Sequence, residues 1–178
     1  MEDGVWRTIG GRRIFIKKGK SVSEAVRESS KFRTTKQKEA DSKKAEKLNK
    51  SIKGKEYRNK LKSLDGKEDG TYNLDTGKAV DFGNKGYNVS FEQSSDRYDD
   101  AEYYDKITEC RNKCDGNVYG GVFGGDPEIS FYTTDLKTAK EIMYKYNQHS
   151  IWSNELGDII MNDRYNENKN KVNYKGEW

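Results

Sequence analysis

One histidine, two cysteines and many carboxylates bound the chemistry this sequence can do. His149 follows Asn147 and Gln148 at the joint between a helical run and an extended one, where an imidazole serves a turn as readily as a reaction. A lone histidine also makes a Ser-His-Asp arrangement a stretch. Cys110 and Cys114 stand four apart, which puts both thiols on one helix face. With no second histidine a metal set lacks ligands, and two small core residues in a reducing compartment is the simpler account. Gly120, Gly121, Gly124 and Gly125 cluster as phosphate-binding loops do. No GxxxxGK[ST] is present, and no helix start follows directly, so these glycines are expected to mark close packing beside strands. Asp65, Asp69 and Asp75 match no calcium-loop pattern and read as turn residues. The second half holds enough acids for many carboxylate pairs, but nothing selects one. The sequence therefore assigns no catalytic residue, no metal and no cofactor.

Charge is more informative than any single motif. Residues 1–70 carry 21 Lys and Arg against 11 Asp and Glu, whereas residues 71–178 carry 13 against 19. Such a split predicts two parts facing different partners. The acids concentrate at Asp96, Asp99, Asp100, Glu102 and Asp105, at the start of a predicted helix. Some of them suit the helix dipole, and together they exceed what capping requires. They form a candidate patch for a basic protein groove, one built for nucleic acid. The bases concentrate between Lys31 and Lys62, where 13 face only Glu39, Asp41, Glu46 and Glu56. Lys36, Lys38, Lys43, Lys44, Lys47, Lys50, Lys53, Lys55 and Arg58 are the candidate contacts to a phosphate backbone. A solvated linker helix explains the same residues equally well. Arginine is scarce there and aromatic interleaving is thin, which counts against base stacking.

These residues need elements to position them. GYNVSFEQ alternates with Tyr87, Val89 and Phe91 on one face, a strand signature. Tyr103, Ile107, Cys110 and Cys114 follow at helical spacing, with Gly116 placed to end the helix. VYGGVF and EISFYT read as two strands joined through Gly124, Gly125, Asp126 and Pro127. Asp135 offers an N-cap for a helix carrying Leu136, Ala139, Ile142, Met143 and Tyr146, with Asn147 as its C-cap, before SIW resumes an extended run. The order strand, helix, strand, strand, helix, strand is the ferredoxin-like split βαβ plan of an α+β domain. A further short strand is expected at Ile159–Met161, and edge pieces at TYNL and KAVDF.

Toward the N-terminus, Val5–Ile9 and Arg12–Lys17 read as a hairpin around Gly10-Gly11. Ser21 and Glu24 have capping-box spacing for a short helix beyond it. Between the hairpin and the α+β core, Ala45, Leu48 and Ile52, then Tyr57, Leu61 and Leu64, make a thin stripe interrupted at Gly54. The basic segment is thus expected as an exposed, loosely attached helical arm. The predicted organisation is hairpin and helix over 1–30, basic arm over 31–70, acidic core over 71–165 and polar tail over 166–178. Hydrophobic residues make up 31% and charged residues 36%, so the core is small. No apolar run reaches the ~18 residues of a membrane span and no signal peptide is evident. A soluble, cytoplasmic chain without membrane contact is expected.

Two stretches resemble known settings. From Trp6 to Phe32, "W-x-T-I-x-G-x-R-I-F-I" followed by a Ser-capped helix ending "S-x-K-F" resembles a module of Gram-positive phage and integrative-element proteins, including the ends of minor head proteins. Gly125–Phe131 and Ala139–Trp152 match "G-x-P-E-I-S-F … A … K-Y-N-Q-x-S-I-W". That pattern is similar to small accessory proteins of Firmicutes phages and mobile elements, a setting that includes inhibitors of CRISPR effectors, chiefly the type II RNA-guided nuclease. The resemblance implies a non-enzymatic anti-CRISPR-like inhibitor, bound to the nucleic-acid channel of a bacterial defence nuclease, with the basic arm on its guide RNA or DNA. A virion or head-associated accessory protein and a plain nucleic-acid binder are the alternatives.

Overall fold

The structure is a computed structural model that describes residues 3–31, 35–91 and 98–167. They divide into two compact units, one ending at Glu46 and one beginning at Lys47.

In the first unit β1 (Gly4–Ile9) and β2 (Arg12–Lys17) pair antiparallel, with Trp6 opposite Phe15. Gly10 and Gly11 both have positive φ, 56° and 75°, the combination a primed two-residue turn requires. Ile14 and Ile16 face inward and are buried with Ala25 of α1 (Val22–Lys31), with Ile9 and Val26 against them. The capping box forms as its spacing predicts: Glu24 N donates to Ser21 Oγ at 3.2 Å, and Ser21 N donates to Glu24 Oε2 at 2.9 Å. α2 (Thr35–Lys62) is the long basic helix, and its residues beyond Glu46 belong to the second unit.

The second unit continues with β3 (Gly70–Asn73), β4 (Tyr87–Ser90), α3 (Asp100–Lys113), β5 (Tyr119–Phe123), β6 (Asp126–Thr133), α4 (Leu136–Lys145), β7 (Ser150–Ser153) and β8 (Asp158–Met161). The class is α+β, and from β4 to β7 the elements come in the predicted order. Six antiparallel strands lie in the order β3-β5-β6-β4-β7-β8. Each strand-helix-strand passage skips one strand: β6 lies between β4 and β5, and β4 lies between β6 and β7. TYNL supplies β3, whereas KAVDF makes only a bridge from Ala79 to Tyr72.

Strand alternation builds the core on one sheet face. Val89, Ile129, Phe131 and Ile151 are at most 2% exposed. They share one cluster with Tyr103, Ile107 and Cys110 of α3 and with Ala139, Ile142 and Met143 of α4. Asp135 caps α4 by accepting from the Lys137 and Thr138 amides. The C-cap of α4 is Tyr146, one residue before the expected position. Asn147 follows it in the left-handed region, which asparagine tolerates better than most residues.

Two expectations need correction. The domain break falls at Glu46/Lys47 and not near residue 70, because the second half of α2 brings Leu61, and Leu64 just beyond it, into the main core. The apolar stripe lapses at Gly54, yet α2 runs through that position as one helix. A Cβ there would sit 1.8 Å from the Asp100 carbonyl oxygen, so glycine is what lets α2 approach the start of α3 so closely. The segment expected as a loose arm over 31–70 is therefore split, and its later half is core structure. Of the tail expected over 166–178, residues 168–178 lie outside the described residues.

Candidate functional site on the concave face of the sheet

The strand residues that alternate with the core point to the opposite face. There Asn88 and Ser90 of β4, Gly121 of β5, Glu128 and Ser130 of β6 and Trp152 of β7 come together. Asn88 Nδ2 donates to Thr71 Oγ1 of β3 at 2.9 Å, although β5 and β6 separate β3 from β4 in the sheet. Three strand spacings span ~14 Å in a flat sheet, so the sheet is curled with its polar face inside. The hollow is a cavity of about 690 Å³. Gly121 keeps its floor open, because a Cβ there would press on Ser130 Cβ at 3.3 Å.

Glu128 is the chemically distinctive group on this floor. Ser90 Oγ donates to Glu128 Oε1 at 2.5 Å. Oε2 is buried and has no hydrogen-bond partner among the described residues. Burial pushes the carboxyl up to about 7, against the Ser90 hydrogen bond that lowers it, and the Asp126 charge adds to the rise. At neutral pH this group is poised between a neutral donor and a charged acceptor. An orphaned buried oxygen costs free energy unless a ligand completes it.

The walls are aromatic and acidic. Phe82 stacks on Tyr132 with centroids 4.1 Å apart and meets Tyr119 edge-on at 5.1 Å. His149 meets Tyr165 edge-on at 5.0 Å. That second wall is held in place by paired side-chain amides. Asn147 Nδ2 donates to the Asn166 carbonyl at 2.8 Å and its Oδ1 accepts from Asn166 N at 3.0 Å, while Asn162 Nδ2 donates to the Gln148 carbonyl. Trp152 is 40% exposed at the rim. Asp69 and Asp81 join Glu128 in the lining, and among the described lining residues there is no lysine or arginine. Such a surface selects for a cation or a hydrogen-bond donor and against a phosphate.

The charged residues singled out in the sequence lie elsewhere, largely on one another. Lys47 pairs with Asp99 at 3.0 Å, Lys50 with Asp105 at 3.0 Å, and Arg58 Nε with Asp100 at 2.9 Å. Asp99 and Glu102 also close the capping box of α3. The Glu102 backbone amide, then Lys47, hold the Asp99 carboxyl below the usual range. Lys53 reaches the Tyr104 hydroxyl, and Lys55 is exposed. Lys36, Lys38, Lys43 and Lys44 are exposed in the first unit, and Asp96 lies outside the described residues. Divided at the observed boundary, residues 1–46 carry 13 bases against 7 acids and residues 47–178 carry 21 against 23. The second unit is close to neutral rather than strongly acidic.

Cys110 is buried and Cys114 is partly so, both as free thiols. Among the described residues no group of three or more His, Cys, Asp or Glu could hold a metal ion, and no helix is long and apolar enough to cross a membrane. Gly120 marks a close approach, with Leu64 Cδ1 2.2 Å from where its Cβ would lie. Sequence reasoning missed Glu128. Its only signal was a carboxylate on the polar side of a strand whose other side carries Ile129 and Phe131. Compared with family models, with curated proteins and with solved structures, the chain matches none.

Proposed function

We propose that the chain is a non-enzymatic binding protein that captures a basic protein surface, with the concave sheet face receiving a lysine or arginine side chain. The observation that carries this reading is the buried Glu128 oxygen without a partner, in a cavity lined by acids and aromatics and by no base among the described residues. A guanidinium fits this chemistry well. Its planar donors satisfy a carboxylate, and its faces stack on aromatic rings. The partner class follows from the resemblance to mobile-element inhibitors: the basic nucleic-acid channel of a bacterial defence nuclease, an anti-CRISPR-like role. In this reading the acidic determinant is the cavity, since the α3 acids are engaged by α2.

The test has two arms. Titration of N-acetyl-arginine amide is expected to shift the amide resonances of Glu128, Ser90 and Trp152, and Glu128→Gln is expected to weaken that response at least about tenfold. Inhibition of a purified RNA-guided nuclease is expected to saturate near one chain per nuclease and to fall in the same variant. Sub-stoichiometric turnover, or full inhibition by Glu128→Leu, overturns the reading.

A further inference from the structure

We infer that the outer face of the β1–β2 hairpin is a stacking platform for single-stranded nucleic acid, formed by Trp6 and Phe15 with Arg13 beside them. The inference concerns the first unit alone and does not depend on the cavity of the second.

The hairpin has two unlike faces. Ile14 and Ile16 are buried against α1. On the other face Trp6 is 59% exposed, opposite Phe15 in the strand register, with ring centroids 5.3 Å apart. A cross-strand aromatic pair helps hold a hairpin together, yet this one leaves most of an indole in water. The Phe15 ring is pinned in place: a Cβ on Gly4 would lie 2.5 Å from Phe15 Cζ, so the ring rests over bare backbone. A ring held this way loses little conformational freedom when a ligand stacks on it.

Charge selects the occupant. Of the six bases in residues 4–20, a stretch with no acid, Arg13 and Lys17 share the face of Trp6 and Phe15, whereas Arg12 pairs with Asp41, Lys18 with Asp3 and Lys20 with Glu28. The Arg13 guanidinium lies over the Trp6 ring, 5.4 Å from its centroid. Lys36, Lys38, Lys43 and Lys44 add exposed positive charge to the same unit. A polyanion with accessible π-faces matches rigid rings among bases, because stacking and backbone neutralisation are the two contributions that single-strand binders combine. A duplex hides its base faces and would use the charge without the rings. The scarcity of aromatics in α2, which counts against base stacking there, does not extend to the hairpin.

The experiment measures binding of the full chain to a labelled short oligothymidylate and to a duplex of equal length, by fluorescence anisotropy. The single strand is expected to bind more tightly than the duplex. Trp6→Ala is expected to weaken single-strand binding at least about tenfold and to leave duplex binding nearly unchanged, whereas Trp6→Phe retains most of the affinity. A chain in which Trp152 and Trp178 are both replaced by phenylalanine leaves Trp6 as its sole indole, and its fluorescence is expected to be quenched by the oligonucleotide. That measurement stands even if Trp6→Ala disturbs the hairpin. Equal binding of duplex and single strand, wild-type affinity in Trp6→Ala, an unquenched Trp6 or no binding at all overturns the inference.

Discussion

Asn88 and Thr71 are bonded across a curled sheet, at 2.9 Å, from strands that two others keep apart. The contact closes the polar face over the cavity, and Thr71→Val removes it with little change in volume. The expected loss is about 1 kcal/mol in urea unfolding, with Thr71→Ser near wild type. No loss in the valine variant would mean that the curl is set by the strands alone.

Glu128 makes stability depend on pH in an unusual direction. Burial lifts its carboxyl to about 7, so the folded chain holds this proton more tightly than the unfolded chain does. Its contribution therefore favours folding at low pH and turns unfavourable as pH rises from the ordinary glutamate range through about 7. Glu128→Gln is expected to stabilise the chain by roughly 2–3 kcal/mol at about pH 8 and by almost nothing at about pH 4. Denaturant midpoints at both pH values check this, and a pH-independent effect would refute a buried, raised carboxyl.

Gly54→Ala sets two effects against each other. Alanine gains about 1 kcal/mol of helix propensity, but its Cβ would meet the Asp100 carbonyl oxygen at 1.8 Å and carbon at 2.7 Å. Backbone cannot swing aside as a side chain can, so a net loss of roughly 2 kcal/mol is expected. A higher melting temperature would contradict the close approach of α2 to α3.

The charge pairs between α2 and α3 are not equal. Arg58 bonds Asp100 and the Tyr98 carbonyl, and its guanidinium lies 4.1 Å from the centroid of the Tyr103 ring. Removing it in Arg58→Ala is expected to cost about 2 kcal/mol, and Arg58→Lys to recover less than half of that. Lys47, paired with Asp99 in the open, is expected to leave the unfolding midpoint unmoved when replaced by alanine. Added salt then changes the two variants alike. If Lys47→Ala proves the more damaging, the pairs act as a network.

Burial pushes the Cys110 thiol up to about 12 and the Cys114 thiol up to about 11. Neither is a ready nucleophile. A thiol reagent at about pH 8 is expected to react slowly with the folded chain and to titrate both cysteines once urea unfolds it. Fast labelling of Cys110 in the native state would show local opening of α3.

The alternation in GYNVSF and EISFYT, the cap at Asp135 and the Gly10-Gly11 turn were legible because each is a local choice that the fold agrees with. What was not legible is tertiary. Nothing near Glu128 in the chain says that Ser90 lies beside it or that the sheet curls over it. Gly54 reads as a gap in the apolar stripe until Asp100 is placed against it. The sum of charges over Lys31–Lys62 looks like an arm because the partners of Lys47, Lys50 and Arg58 lie more than 40 residues further on.

The strand order also governs when the molecule can be completed. β4 pairs with β6 through Val89 and Phe131 and with β7 through Tyr87 and Ser153, so its neighbours on both sides are made long after it. The hairpin and α1, by contrast, use only near neighbours in sequence. Sheets built from distant pairings fold slowly, and synthesis proceeds at about 5–20 residues per second. The first unit is thus positioned to fold during translation, while Val89 of β4, and Phe91 just beyond it, wait uncovered until β6 and α4 leave the ribosome. That interval is the chain's exposure to aggregation and to chaperones.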